Sequence, residues 1–135
     1  MPSGYSGTPL AKKLSLKGGM RVWWDAMPDS VAEEIAVEGL RFERLAAPEA
    51  PIDAAHIFVT ERADLDAKLN QLMPMLDRAG FVWVSWPKKA SKTPTDIIED
   101  VIRDVALPMG LVDVKVCSVD DIWSGLKLVI RKVLR

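Results

Sequence analysis

Phe81-Val82-Trp83-Val84-Ser85-Trp86 runs directly into Pro87-Lys88-Lys89-Ala90-Ser91-Lys92-Thr93-Pro94-Thr95-Asp96. The first stretch is apolar at nearly every position, which predicts a strand covered on both faces, as in the parallel sheet of an α/β domain. The second stretch carries three lysines and three hydroxyl side chains. Because ligands of such sheets bind beyond the carboxyl ends of the strands, we expect the working surface at this junction.

Length and composition indicate an ordinary globular domain. The chain has 135 residues, of which 49% are hydrophobic and 27% are charged, so we expect one domain over residues 1–135, with residues 1–8 as an extended N-terminal segment. The single cysteine, Cys117, cannot form an internal disulfide, which is typical of a cytoplasmic protein. The sequence has neither a signal-peptide pattern nor a run of about eighteen apolar residues, and we therefore expect no membrane association.

Working outward from the opening strand, the pattern predicts alternating strands and helices. The predicted strands cover residues 20–25, 40–45, 54–60, 81–86, 111–119 and 125–133. The predicted helices cover residues 9–14, 30–38, 62–79 and 94–107. This order predicts one α/β sheet with helices on both faces and right-handed crossovers between parallel strands. The last two strands are close enough in sequence to pair as an antiparallel hairpin.

The chain resembles two families. From Ile57 onward, its element order and turn positions resemble the Rossmann-like class I methyltransferases that use S-adenosylmethionine. The segments that carry this resemblance are Leu72-Met73-Pro74-Met75-Leu76-Asp77-Arg78-Ala79-Gly80, Phe81-Val82-Trp83-Val84-Ser85 and Gly110-Leu111-Val112-Asp113-Val114. The resemblance implies a single Rossmann-like, methyltransferase-like three-layer sandwich, whose mostly parallel sheet ends in a C-terminal antiparallel hairpin.

The second resemblance covers nearly the whole chain. It is to a family of small uncharacterised bacterial proteins, a domain of unknown function. The segments that carry it are Tyr5-Ser6-Gly7-Thr8-Pro9-Leu10-Ala11, Val84-Ser85-Trp86-Pro87-Lys88 and Trp123-Ser124-Gly125-Leu126-Lys127. This resemblance implies no activity.

The loop after the first predicted strand departs from the methyltransferase pattern. The resemblance implies a glycine-rich loop there, through which the backbone approaches the cofactor closely. The loop reads Asp25-Ala26-Met27-Pro28-Asp29 instead and contains no glycine. The acidic residue that the resemblance implies for the ribose hydroxyls, at the end of the second strand, is at best Glu43. We therefore expect a degenerate cofactor site and no cofactor, with S-adenosylmethionine as the alternative.

We expect an anionic small molecule or a nucleotide to bind at the carboxyl edge. Lysines lie there between a strand end and a helix start, and Trp86 and Trp123 could stack a base, although core packing is the simpler role of an indole. Asp25 and Thr60 end strands on the same edge, where a carboxylate could act as a base or only form an ion pair. The predicted ligand-binding residues are Trp86, Lys88, Lys89, Ser91, Trp123, Ser124, Asp25 and Thr60.

Other motifs have structural explanations. Thr93 to Asp96 has the spacing of a capping box at a helix start, which is a simpler role than an anion-binding loop. His56 is the only histidine, so we expect a buried, hydrogen-bonded side chain and no metal site. Cys117 lies within a predicted strand, so we expect its thiol to be packed against other side chains. No catalytic residue is assigned.

Three functions follow from these patterns. The first is a noncatalytic domain that binds an anionic small molecule or nucleotide. The second is an S-adenosylmethionine-dependent methyltransferase with a degenerate cofactor loop. The third is a protein-interaction module, in which the final strand at a sheet edge pairs with a second copy as a homodimer. A net charge of -1 gives no overall field for nucleic acid, so we expect no nucleic-acid partner.

Overall fold

The computed structural model describes residues 7–135, so the predicted N-terminal segment lies mostly outside the described residues. The strands are β1 (Arg21–Asp25), β2 (Glu43–Arg44), β3 (Ile52–Phe58), β4 (Leu76–Pro87), β5 (Leu111–Ser118) and β6 (Trp123–Ile130). The α-helices are α1 (Leu10–Lys13), α2 (Asp29–Ala36), α3 (Arg62–Leu72) and α4 (Glu99–Met109). Short 3-10 turns cover Met73–Met75, Lys89–Ser91 and Lys132–Leu134.

The six strands form one sheet in the order β2-β1-β3-β4-β6-β5. The pairs β1 with β2, β1 with β3 and β3 with β4 are parallel, whereas β6 is antiparallel to both β4 and β5. This confirms the predicted α/β fold, with its mostly parallel sheet and C-terminal antiparallel hairpin. The chain moves outward from β1 to β2 and then returns to the other side of β1 at β3. The topological switch point therefore lies between β1 and β3, where ligands of open α/β sheets bind.

Each face of the sheet has its own hydrophobic core. The face covered by α3 and α4, called the α3 face below, buries apolar side chains that include Leu65, Leu69, Val82, Val84, Trp86 and Ile102. The face covered by α1 and α2, called the α1 face, buries a second set that includes Leu14, Val22, Val31, Ile35, Phe58 and Trp83. Every residue of β4 from Gly80 onward is buried, as its unbroken apolar pattern predicts.

The segment before α4 differs from the prediction. α4 begins at Glu99, with Ile98 as the N-cap residue and no side-chain cap. The Thr95 hydroxyl donates to the Thr60 carbonyl at 2.6 Å, and the Asp96 carboxylate accepts the Arg62 N–H at 2.7 Å. The predicted capping box is therefore wrong. Asp96 caps α3, because hydrogen bonds to the neighbouring loop replace the local ones that the spacing suggested.

The edge strands also differ from the prediction. β6 lies between β4 and β5, so the final strand is paired on both sides and cannot add a second copy. The sheet edge in this half is β5, whose Val114 and Val116 are about half exposed. A register shift between Asp113 and Lys115 interrupts this edge, as bulges at edge strands do in proteins that avoid edge pairing. The homodimer itself remains a prediction.

Among residues 7–135, no helix has the length and apolar character needed to cross a bilayer.

Candidate functional site

The turn after β1 has a backbone conformation that its sequence does not indicate. Ala26, the residue that follows β1, has a φ of 56°, which lies in the left-handed region that glycine adopts freely and alanine does not. α2 starts three residues later, at Asp29, with Pro28 as its N-cap residue. The loop therefore contains a glycine-like turn without a glycine, directly beside the switch point.

Asp25 ends β1 at this turn and forms an ion pair with Lys68 of α3. Lys68 also pairs with Asp64, one helical turn earlier, at 3.0 Å. Burial lowers the pKa of Lys68, but its hydrogen bonds to Asp25 and Asp64 outweigh that effect and raise the pKa above the ordinary value. Lys68 is thus a fixed positive charge that holds the Asp25 carboxylate. Asp25 faces Lys68, and not the lysines after β4.

The end of β2 carries a cation where the methyltransferase resemblance implies an acid. Glu43 forms an ion pair with Arg21 at the start of β1, away from the carboxyl edge. The guanidinium of Arg44 lies over the Trp24 ring, 4.6 Å from its centroid, which is cation–π geometry. Trp24 in turn packs edge-to-face against Phe42, with centroids 5.9 Å apart. Arg44 and Trp24 therefore form this side of the edge.

Thr60 lies in the loop between β3 and α3, beside the switch point. Its carbonyl accepts hydrogen bonds from the Thr95 hydroxyl at 2.6 Å and from the Asp96 N–H at 3.3 Å. These contacts tie the loop after β3 to the loop before α4. β1 and β3 are neighbours, so Thr60 and Asp25 lie on either side of the switch point.

Lys88 belongs to a second group, at the base of the C-terminal hairpin. Its N–H donates to the Ile122 carbonyl at 2.6 Å, and its ammonium donates to the Ser118 hydroxyl at 2.6 Å. The Ser91 hydroxyl donates to the Lys88 carbonyl at 2.7 Å, so these two predicted residues lie together. Lys89 follows in an exposed 3-10 turn.

The two tryptophans of the predicted site lie on opposite faces of the sheet. Trp86 is 8% exposed and packs in the core of the α3 face. Trp123 is half-buried on the α1 face, edge-to-face with Phe58 at 5.0 Å between centroids. Ser124 lies opposite Trp86 in the pairing of β4 with β6. The indoles therefore cannot form two walls of one stacking site, and the predicted residues separate into an Asp25–Thr60 group and a Lys88–Ser91 group.

The histidine is buried in the α1-face core. Its Nε2 lies 2.6 Å from the hydroxyl of Ser85, which is fully buried on the neighbouring strand, and the imidazole stacks on Phe58 at 4.4 Å between centroids. Burial lowers the pKa of His56 to about 3. His56 is therefore neutral near pH 7, as a packed and hydrogen-bonded histidine should be.

The thiol of Cys117 is also buried, and that burial raises its pKa, although Lys13, Lys115 and Lys88 act in the opposite direction. A raised pKa leaves little thiolate, which agrees with a packed side chain. Within the described chain, no three or more histidine, cysteine, aspartate or glutamate side chains are grouped so that they could hold a metal ion.

The sequence analysis missed several residues at the carboxyl edge. One of them left a local signal, because Asp64 and Lys68 have the spacing of an ion pair on one helix face. The contacts of Lys68 with Asp25, of Arg44 with Trp24 and of Ser118 with Lys88 join separate segments. No pattern within one segment could have predicted them.

Comparison with known proteins supports the fold. No family model matches the chain, and no curated protein matches it either. Among solved structures, a putative type 11 methyltransferase from Sulfolobus solfataricus superposes with a TM-score of 0.59 at 14% identity, covering 91% of this chain and 90% of that one. Magnesium protoporphyrin IX methyltransferase from Synechocystis, with bound SAM, gives a TM-score of 0.57 at 12% identity, with 91% and 76% covered.

Aeropyrum pernix fibrillarin, in complex with natively bound S-adenosyl-L-methionine, gives a TM-score of 0.55 at 11% identity and covers 93% of this chain and 70% of that one. At these identities the likeness shows the methyltransferase-like Rossmann fold and does not extend to activity.

Proposed function

We propose that this chain binds S-adenosylmethionine, or the product S-adenosylhomocysteine, at the carboxyl edge between β1 and β3. The observation that carries the proposal is the turn after β1, where Ala26 takes the left-handed conformation that a glycine would favour. The bound S-adenosylmethionine described for two of the similar structures supports the same ligand. The proposal takes from the methyltransferase alternative of the sequence analysis its ligand, without the transfer reaction, and replaces the expectation of no cofactor.

The β1 side of the edge fits such a ligand in two respects. The switch point between Asp25 and Thr60 is the position at which open α/β sheets form a ligand crevice. The eight-residue helix α2 begins just after the Ala26 turn, so its first N–H groups are available to a carboxylate such as that of the methionine part of the ligand.

The β2 side departs from the methyltransferase pattern. Arg44 occupies the strand end where an acid would accept the ribose hydroxyls, and Glu43 is held by Arg21. Pro28 lacks an N–H group, which removes one donor from the loop. We therefore expect weaker binding than a glycine-rich loop and a ribose-binding acid would give.

The proposal is limited to binding. S-adenosylmethionine supplies an electrophilic methyl group when it is bound. Methyl transfer from it often needs a base near the acceptor. Among the described strands, Asp25 is the only carboxylate that ends a parallel strand at this edge, and it is held by Lys68. We assign no base.

The noncatalytic alternative, with a ligand across Trp86, Lys88, Lys89 and Trp123, has less support. Its two indoles lie on opposite faces of the sheet, and the Lys88 ammonium contacts Ser118 at the hairpin.

Isothermal titration of the wild-type chain with S-adenosylmethionine and with S-adenosylhomocysteine tests the proposal. We expect saturable binding of at least one. Ala26→Val should weaken it at least tenfold, because a β-branched residue cannot adopt the left-handed turn without strain. The matched control is Ala90→Val in the exposed turn after β4, which should bind as the wild type does. No binding at millimolar ligand, or equal loss in both variants, would contradict the proposal.

A further inference from the structure

We propose that Arg44 makes the carboxyl edge select adenosine ligands that carry a phosphate on the 2′ or the 3′ oxygen of the ribose. This selectivity rests on the proposed function, because it requires the adenosine part of the ligand to lie at this edge. S-adenosylmethionine has hydroxyl groups at both ribose positions. A ribose-phosphorylated adenine nucleotide should therefore bind the same crevice more tightly and compete with S-adenosylmethionine.

Arg44 lies at the end of β2 and extends toward the carboxyl end of β1. Its backbone is level with Val22, with which it pairs in the parallel register. Its guanidinium lies 4.6 Å from the centroid of the Trp24 ring, and Trp24 is two residues further along β1. The side chain therefore runs along β1 toward Asp25, the last residue of that strand.

The spacing in the sequence agrees with a role at the ribose. Arg44 follows Ala26, in the turn after β1, by 18 residues. In doubly wound sheets, an acid about 20 residues after this turn binds the 2′ hydroxyl of the ribose, whereas an arginine nearby accommodates a 2′ phosphate. Glu43, the acid next to Arg44, is held by Arg21 at the start of β1. The side chain present at the ribose position is thus the one that suits a phosphate.

The guanidinium of Arg44 has donors without a protein partner. Arg44 is exposed, and among residues 7–135 its guanidinium is in no ion pair and donates no hydrogen bond to the protein. Its contact with Trp24 uses the flat face of the guanidinium, whereas the N–H donors point outward in the plane of the group. These donors suit two oxygens of one phosphate, in the bidentate geometry of arginine–phosphate pairs. The indole supports the guanidinium, which lowers the entropy that binding costs.

Asp25, the carboxylate that ends β1, lies on the other face of the sheet. It pairs with Lys68 of α3. Trp24, the preceding residue, packs against the core of the α1 face, and Arg44 lies over its ring. Arg44 and Asp25 are therefore directed to opposite faces and form no ion pair.

The acids of α2 lie on the same face as Arg44 but toward the hairpin. Glu33 and Glu34 line a cavity together with Asp120, which lies in the loop between β5 and β6. Asp29 is one helical turn before Glu33 and so shares its side of the helix. β5 and β6 are at the opposite end of the sheet from β2. A phosphate on Arg44 therefore lies on the side of α2 away from these carboxylates.

A nucleotide suits this position better than a phosphate ion alone. One guanidinium gives a phosphate ion a single bidentate contact, for which water competes. The adenosine part of a nucleotide adds the contacts of the crevice between Asp25 and Thr60, and the two parts lose their translational freedom together. We therefore expect the nucleotide to bind and the ion alone to bind much more weakly.

The test is isothermal titration of the wild-type chain with adenosine and with its 2′, 3′ and 5′ monophosphates. The three monophosphates have similar charge and differ in the position of the phosphate. We expect the 2′ or the 3′ isomer to bind about tenfold more tightly than the 5′ isomer, as one additional charge-assisted pair gives. Inorganic phosphate alone should bind at least about tenfold more weakly than this preferred isomer.

Arg44→Gln removes the charge and should lower the affinity for the preferred isomer about tenfold, to near that of adenosine. The matched control is Arg41→Gln, at an exposed arginine whose carbonyl accepts the Gly19 N–H before β1, at the amino edge of the sheet. It should retain the preference. Because the readout is a ratio of affinities within one variant, a partial loss of folded protein does not change it.

Four results would overturn the proposal: no binding of any monophosphate, equal binding of the three isomers, equal binding of inorganic phosphate, or a preference that survives Arg44→Gln. S-adenosylmethionine is titrated in parallel. Its saturable binding without a preference for a ribose phosphate would overturn the selectivity and leave the proposed function intact. A preference for the 2′ or the 3′ isomer without binding of S-adenosylmethionine would contradict the proposed function and leave the selectivity.

Discussion

At the residue scale, the turn after β1 depends on the left-handed conformation of Ala26. Replacing Ala26 by glycine should stabilise the fold. Glycine removes the left-handed cost of about 1–2 kcal/mol and loses more backbone entropy, so we expect a net gain of up to about 1 kcal/mol. Urea unfolding measures it. Ala67→Gly, at an exposed site inside α3, is the control of opposite sign and should cost about 1 kcal/mol. Equal destabilisation by both substitutions would show that Ala26 is not strained.

His56 should make the stability of the fold depend on pH. Its pKa of about 3 in the folded chain lies below the ordinary value of 6.5, so the unfolded chain binds more protons between these two values. The free energy of unfolding therefore has its full value, with respect to His56, above pH 6.5. It decreases as the pH falls toward 3.

Between pH 7 and pH 5, the free energy of unfolding should therefore fall by about 2 kcal/mol. Urea unfolding at the two pH values measures this change. His56→Gln cannot titrate and should lose that part of the dependence. An identical pH profile for the variant and the wild type would rule out His56 as the cause.

The partner of His56 should matter as well. Ser85→Ala leaves the buried imidazole Nε2 without its hydrogen bond, and an unpaired buried polar group costs about 1–3 kcal/mol. The control is Ser124→Ala, in the same sheet and only half-buried, for which we expect a smaller loss. Thermal unfolding compares the two. A Ser85→Ala variant as stable as the wild type would show that the contact contributes nothing.

At the scale of elements, the loop before α4 is attached to α3 through Asp96. Asp96→Ala should destabilise the fold by about 1 kcal/mol, because the Arg62 N–H at the helix start loses its acceptor. Asp121→Ala, in the exposed hairpin loop, removes the same charge and should cost less than about 0.5 kcal/mol. Chemical unfolding of both variants tests this, and equal losses would contradict the capping role.

Strands that follow from the local periodicity of apolar residues were predictable from the sequence. The apolar run of β4 and the alternation in β5 and β6 predicted those strands, because burial on one or both faces imposes these patterns directly. β4 starts five residues earlier than predicted, at Leu76. This first part contains an irregularity opposite β3, and the register changes there.

The candidate site was less predictable, since its contacts cross between elements. The faces on which Trp86 and Trp123 lie depend on the register between β4 and β6. The pairing of Asp25 with Lys68 depends on how α3 packs on the sheet. The left-handed conformation of Ala26 has no signal in the residue itself. Strand ends identified the edge correctly, but they could not show which side chains meet there.

At the scale of the whole molecule, the strand order separates two surfaces. The switch point lies between β1 and β3, whereas Lys88 and Ser118 lie at the base of the C-terminal hairpin in the other half of the sheet. The sequence showed the lysines only as short local clusters, because contacts such as that of Lys115 with the Lys13 carbonyl depend on the docking of α1 on the hairpin.

The most direct test of the central claim is amide chemical-shift mapping of the labelled chain during titration with S-adenosylmethionine. We predict that the largest changes occur at the switch point, at Asp25, Ala26 and Thr60, with little change at Lys88 and Trp123. Changes centred on Lys88 and Trp123, or no changes at millimolar ligand, would contradict binding of S-adenosylmethionine between β1 and β3.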